Sequence, residues 1–232
     1  AIHIHDWQAI RKLATGGDVA FAEAYMDGSW SSPDLTHLMH FAMRNETIVR
    51  ARLAAGFLAR TVARIGHLRN ANTLEGSKRN IAYHYDLGNA FYRAWLDPSM
   101  TYSSGLYQSP DMSLDAAQSA KYERICELAD LSPGEKVLEV GCGWGGFAEL
   151  AAGKYRCNVT GLTLSNEQHA YARERLLLQG LHDRTDIVLR DYRHEEGQYD
   201  KIVSIEMFEA VGEEHWPTYF DMIRKRLKPG GK

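Results

Sequence analysis

No apolar run in this 232-residue chain is long enough to cross a bilayer, and residues 1 to 7 lack the charged-then-apolar order of a secretory signal. Both absences point to a cytoplasmic protein. A basic excess is missing as well: the formal net charge is -3, which argues against a general nucleic-acid binder. The three cysteines, Cys126, Cys142 and Cys157, are odd in number and have no paired ligand spacing. Neither a disulfide framework nor a zinc or other metal site is expected from them. A small molecule or a surface remains as the partner. With 44% hydrophobic and 25% charged residues, the chain can build one good core plus a smaller attached module. It opens without Met and closes on Lys228-Pro229-Gly230-Gly231-Lys232, a turn signal that normally introduces another strand. Further sequence is therefore expected at both ends, with strands beyond Lys232.

Punctuation makes the first segment helical. Asp18 can cap a short helix through Phe21, Ala22 and Tyr25 that stops at Gly28, and Ser32-Pro33-Asp34 supplies a cap, a first-turn proline and a first-turn acid for a second helix through Leu35, Leu38 and Ala42. Residues 1 to 70 thus read as a small all-helical module. Within residues 44 to 79 eight basic groups face two acidic ones, a local excess of +6 that invites phosphate headgroups. The charges do not segregate on a helical wheel, so a solvated linker helix fits as well as a membrane-surface element. Residues 71 to 79 read as the linker, and residues 80 to 232 as a second, partial domain.

From residue 113 the pattern alternates. Ser113 can cap a helix through Ala120, Ile125 and Leu128; strand-like runs follow at 136–140, 158–162, 186–189 and 201–205, separated by helical stretches at 146–154, 166–179 and 214–227. Such alternation predicts an α/β fold, a Rossmann-like parallel sheet with helices on both faces and its ligand at the carboxyl ends of the strands.

The first strand runs straight into Gly141-Cys142-Gly143-Trp144-Gly145-Gly146 and then a helix, the setting a nucleotide-binding glycine loop requires. The spacing also satisfies the dinucleotide fingerprint. That site wants a ribose-binding acid about 20 residues on, whereas the second strand ends in Gly161-Leu162-Thr163-Leu164-Ser165 without a carboxylate. Glu139, just before the loop, is positioned for the cationic or ammonium end of S-adenosylmethionine. At the third strand end, Asp191-Tyr192-Arg193 offers a carboxylate for an adenine amino group and an aromatic ring to stack on it; the acid equally suits a cap for the next turn. The fourth strand delivers Ser204-Ile205-Glu206-Met207-Phe208-Glu209, two carboxylates at the active edge that share a face if the segment turns helical. Residues 80–89 and 97–104, rich in tyrosine, hydroxyl and turn residues, read as an aromatic-lined lid over the sheet edge.

Five ordered motifs, Tyr83-His84-Tyr85-Asp86-Leu87-Gly88-Asn89, Leu96-Asp97-Pro98-Ser99-Met100-Thr101-Tyr102-Ser103, Glu139 to Phe147, Gly161 to Ser165 and Ile202 to Glu209, closely resemble the cyclopropane-fatty-acyl-phospholipid synthase family, mycolic acid cyclopropane synthases included. The resemblance implies a class I methyltransferase core behind an N-terminal lipid-engaging module. It implies cofactor contacts at Tyr102, Ser103, Gly141, Gly143, Thr163, Leu164, Gln168, Asp191, Tyr192 and Arg193, to which Glu139, Gly145 and Ile205 are added. It also implies one-carbon transfer from S-adenosylmethionine to the double bond of an unsaturated phospholipid acyl chain through a carbocation, with bicarbonate taking the proton as the ring closes. The competing outcome is a methyl-branched, methylene or otherwise modified chain. Glu209 matches the bicarbonate-holding glutamate, and Ser104 and Ala210 stand where the family commonly has Cys and His. The catalytic candidates are Glu209 and Ser104. A peripheral position at the inner membrane surface follows from the resemblance, and a homodimer is compatible with it.

Overall fold

The computed structural model describes residues 1–47 and 88–232. The chain divides into two compact units, Ala1–Ala71 and Asn72–Lys232. The basic stretch from residue 48 to 79, the linker over 71–79, and residues 80–87 with Tyr83, His84 and Tyr85 all lie outside the described residues.

The first unit opens with a two-residue strand, β1 (His3–Ile4), followed by α1 (Gln8–Met26), β2 (Trp30–Ser31) and α2 (Leu35–Arg44). It is not all-helical: β1 and β2 pair antiparallel. Trp30 gives the reason, because its ring stacks on Phe21 at 4.3 Å and its Nε1–H donates to Phe21 O at 2.8 Å, drawing the chain after α1 back across that helix. Helix α1 also begins ten residues before Asp18, with Gly17 (φ 71°, ψ -153°) forming a kink inside it. The cap of α2 falls on Asp34 rather than Ser32, since the Asp34 carboxylate accepts the His37 N–H at 2.9 Å.

The second unit is built on four parallel strands, β3 (Lys136–Val140), β4 (Asn158–Thr163), β5 (Thr185–Leu189) and β6 (Lys201–Val203), in the order β5-β4-β3-β6. Helices α3 (Gly88–Arg93) and α4 (Leu114–Ala129) precede the sheet; α5 (Gly146–Gly153), α6 (Asn166–Leu178) and α7 (Trp216–Arg226) alternate with its strands. Successive side chains of β3 enter opposite layers. Val137 packs with Phe147, Ala148, Ala172 and Leu176 on one face, and Leu138 and Val140 pack with Tyr219 and Met222 on the other. Both faces being covered explains why the strand reads as an apolar run.

The expected 201–205 strand stops at Val203, and three residues on Glu206 takes a left-handed backbone (φ 47°). The next turn is 3-10, Phe208–Ala210, so Glu206 and Glu209 do not share a helical face. The last helix starts at Trp216 with proline in its first turn, behind a separate 3-10 turn over Glu213–His215. After the Lys228–Lys232 turn, Lys232 O accepts the Ile202 N–H at 2.8 Å, continuing the sheet past the edge of β6.

Gly161 lets β4 pass close to the glycine loop. A Cβ there would lie 2.7 Å from Ile187 Cδ1 and 2.9 Å from Cys142 Cβ. Gly161→Ala is therefore expected to lose about 1–3 kcal/mol, read as a lower denaturant midpoint; a midpoint equal to the parent would contradict this close approach.

Candidate active site

The loop after β3 carries three glycines with positive φ: Gly141 (87°), Gly143 (52°) and Gly145 (82°). At Gly141 a side chain would also strike Met207 Cγ at 2.9 Å. The Gly141 and Cys142 N–H groups both donate to Leu162 O, at 3.1 and 2.9 Å, pinning the loop to the end of β4. The loop opens on a cavity of about 540 Å³ at the carboxyl ends of the strands.

Two lining side chains, Tyr102 and Trp144, belong to an aromatic layer at the cavity's side. Trp144 packs on Tyr92 (4.9 Å between ring centroids), which meets Tyr102 at 5.6 Å, and Tyr102 meets Trp95 edge-on at 5.4 Å. The Trp144 Nε1–H donates to Asn89 Oδ1 at 2.7 Å, tying this layer to α3. Thr163 and Gln168 form part of the opposite wall, with the Thr163 hydroxyl donating to Gln168 Oε1 at 2.9 Å and Ser165 capping α6. No carboxylate stands at this strand end, in contrast to a dinucleotide site.

Glu139 is 3% exposed and lines the cavity, and its Oε2 has no hydrogen-bond partner among the described residues. Burial pushes its carboxyl well above the ordinary carboxylate range, opposed by the charge of Arg175 and the Ala148 N–H. A buried orphan oxygen of this kind must carry its own proton or take a partner, and a cation seated in the cavity would supply one. Cys142 is also fully enclosed; burial first, and the neighbouring Glu139 second, hold its thiol well above the usual range.

At the end of β5, Asp191 caps the 3-10 turn Tyr192–His194 by accepting the Arg193 N–H at 2.9 Å, and it binds the same guanidinium at 2.8 and 2.6 Å. Burial raises the Asp191 carboxyl, but these bonds outweigh it and hold it below its ordinary value. The capping role is thus the one the geometry displays, and the Asp191, Tyr192 and Arg193 side chains all line the cavity.

Across the cavity, Ser103 and Ser104 are gripped from two sides. Lys121 of α4 donates to Ser103 Oγ and to Gln118 Oε1 (2.7 Å), and Gln118 Nε2 donates to Ser103 O (2.7 Å). On the other side, Glu206 Oε1 accepts the Ser104 N–H at 2.8 Å and its Oγ–H at 2.5 Å. Burial draws Lys121 down to about 8 against the pull of Glu206 and Asp97. Burial raises Glu206, yet the Ser104 bonds and the charge of Lys121 bring it below its ordinary value.

A family model described as mycolic acid cyclopropane synthetase covers residues 72–232. The chain belongs to that family. It is 36% identical to tuberculostearic acid methyltransferase UfaA1 of Mycobacterium tuberculosis over 100% of this chain and 56% of that protein. It is 38% identical to the cyclopropane-fatty-acyl-phospholipid synthase of Escherichia coli K12 over 99% of this chain and 58% of that protein. A crystal structure of mycolic acid cyclopropane synthase CmaA1 complexed with SAH and CTAB superposes with a TM-score of 0.63 at 35% identity, across 65% of this chain and 53% of that one. The chain spans little more than half the length of these relatives.

In this family member, Tyr102, Ser103, Glu139, Gly141, Gly143, Thr163, Leu164, Gln168, Asp191, Tyr192, Arg193 and Ile205 line one cavity. Gly145 lies behind it, where a Cβ would meet Ala172 Cβ at 3.0 Å. Ser104 and Glu209 are not in the lining, and Glu209 sits exposed on its 3-10 turn. Ala210, where the family commonly has His, does line the cavity. Sequence reasoning missed Lys121 and Tyr122, which a helical periodicity leaves among ordinary helix residues. It also gave no separate role to Glu206, whose signal was the acid at a strand end.

Among the described residues no group of His, Cys, Asp or Glu is arranged to hold a metal ion, and no helix is long and apolar enough to cross a membrane.

The sign of the Lys121 shift yields a pH prediction. Its folded value lies below the unfolded lysine value, so its burial costs stability in full below about 8 and that cost fades as pH rises toward the unfolded value. Relative to Lys121→Met, the wild type should gain Tm between neutral pH and about pH 10; a pH-independent difference would show that Lys121 is not desolvated.

Proposed function

We propose that this protein transfers a one-carbon unit from S-adenosylmethionine to the double bond of an unsaturated fatty acyl chain of a phospholipid, in the manner of a cyclopropane synthase. The observation that carries the reading is the unsatisfied Glu139 oxygen in the cavity wall beside the glycine loop, a site suited to the ammonium end of the cofactor. When bound, the cofactor supplies an electrophilic methyl group. The chain's own residues do the rest: the loop backbone, Thr163 and Gln168 hold the ligand, Tyr192 offers a ring face, and Tyr102 and the buried Trp144 give the wall an aromatic surface for a developing cation. Exposed Trp7 (78%) and Phe41 (62%) of the first unit are apolar surface suited to lipid contact, in keeping with work at a membrane surface.

A second product is favoured by specific observations. Ser104 is committed to Glu206 rather than to Glu209, which stands outside the cavity lining, so the two positions associated with bicarbonate are apart. A relative matched along this whole chain is named a tuberculostearic acid methyltransferase. The alternative outcome is a methylene or methyl-branched chain.

Two measurements test these readings. S-adenosylhomocysteine should bind with release of a proton from Glu139 at acidic to neutral pH, because a cation beside the carboxylate lowers its raised pKa; calorimetry in buffers of differing ionisation enthalpy should detect the release in the wild type and none in Glu139→Gln. No binding heat under any condition would sink the proposed activity. Mass spectrometry of products from S-adenosylmethionine and unsaturated phospholipid should then find a mass gain of one CH₂ with a ring; a methylene or methyl-branched chain without a ring would assign the alternative.

A further inference from the structure

We propose that Glu206 is the proton acceptor of this site, a carboxylate supplied by the chain itself in place of a bound anion. The inference rests on the methyl-transfer reading.

Glu206 stands at the end of β6, in the wall of the same cavity as Glu139, Gly141 and Gly143. Its backbone is left-handed (φ 47°), a conformation that an L residue with a long side chain rarely adopts and that tends to mark functional positions. The side chain is held rather than free. Both Ser104 bonds fall on Oε1, and among the described residues no hydrogen bond reaches Oε2. One oxygen is thus anchored and the other is available to a proton. The two Ser104 bonds, with the Lys121 charge behind them, outweigh burial and favour the ionised carboxylate, and Glu206 remains exposed enough to return a proton to solvent.

The alkene electrons form a C–C bond to the transferred methyl as its bond to sulfur breaks, leaving S-adenosylhomocysteine and a cation on the acyl chain. A methyl C–H bond of that cation gives its electron pair to a new C–C bond, closing a ring; after a 1,2-hydride shift has moved the cation onto the methyl-bearing carbon, the same C–H pair instead forms a C=C bond, giving a methylene. The proton passes to Glu206 Oε2, and the neutral acid then releases it to water. No other co-reactant is required.

Glu206→Gln keeps an acceptor for Ser104 but cannot take a proton, whereas Glu206→Gly also relieves the left-handed backbone and opens space for a small anion. With unsaturated phospholipid in carbonate-depleted buffer, wild-type turnover should not respond to added bicarbonate. Glu206→Gln should lose on the order of 100-fold while keeping its Tm and its affinity for S-adenosylhomocysteine. Glu206→Gly should regain rate with formate or bicarbonate. A merely structural Glu206 would leave Glu206→Gln near full rate. A second readout needs no turnover: in thermal shift with S-adenosylhomocysteine present, formate or bicarbonate should stabilise Glu206→Gly but not the wild type. Equal stabilisation of both, or of neither, would overturn the proposal even if no lipid is turned over, in which case the methyl-transfer reading has failed separately.

Discussion

Two backbone N–H groups, those of Gly141 and Cys142, share one carbonyl oxygen at Leu162, and the geometry of the cavity depends on that tie. It holds the glycine loop against the end of β4, next to the Thr163–Gln168 wall. The tie exists only because β4 can run close beneath the loop, which Gly161 permits by having no side chain. The positive φ angles of the loop then turn its backbone outward at the strand end instead of continuing the sheet.

Charges around this scaffold are arranged by unequal solvation. Glu139 is enclosed with one oxygen unmatched, Asp191 is enclosed but fully engaged by Arg193, and Glu206 is open to water with one oxygen held by Ser104. Three carboxylates at three strand ends therefore differ in their readiness to be ionised, although the residue types are nearly the same. Lys121 adds a buried cation on the far side of Ser103 and links the serine pair electrostatically to Glu206. The serines are held by side chains from α4 on one side and by the strand-end loop on the other.

The doubly wound core was legible because its signals are local and repeat: a strand running into glycines, then a helix, and apolar runs at even spacing. Strands β3 and β4 and helices α4 to α6 stand within a residue or two of where periodicity puts them. The misplacements have tertiary causes. The β1–β2 pair is drawn together by Trp30 stacking on Phe21, a contact across nine residues that no short pattern announces. Expecting Glu206 and Glu209 on one face presumed a helix, whereas Glu206 takes a left-handed turn with its carboxylate on Ser104, 102 residues away in sequence. Lys121 was invisible for the same reason, since its partner Ser103 comes from another element.

The enclosed thiol of Cys142 has a chemical consequence of its own. In the proposed activity a methylating agent would share the cavity that Cys142 lines, and a reactive thiolate there would consume it. Only the thiolate attacks quickly, and Cys142 is kept as the neutral thiol by its dry surroundings and by the acid beside it. On that reading, the burial that raises Glu139 also guards the loop, and a substitution that wets this corner would leave a thiol free to consume the reagent.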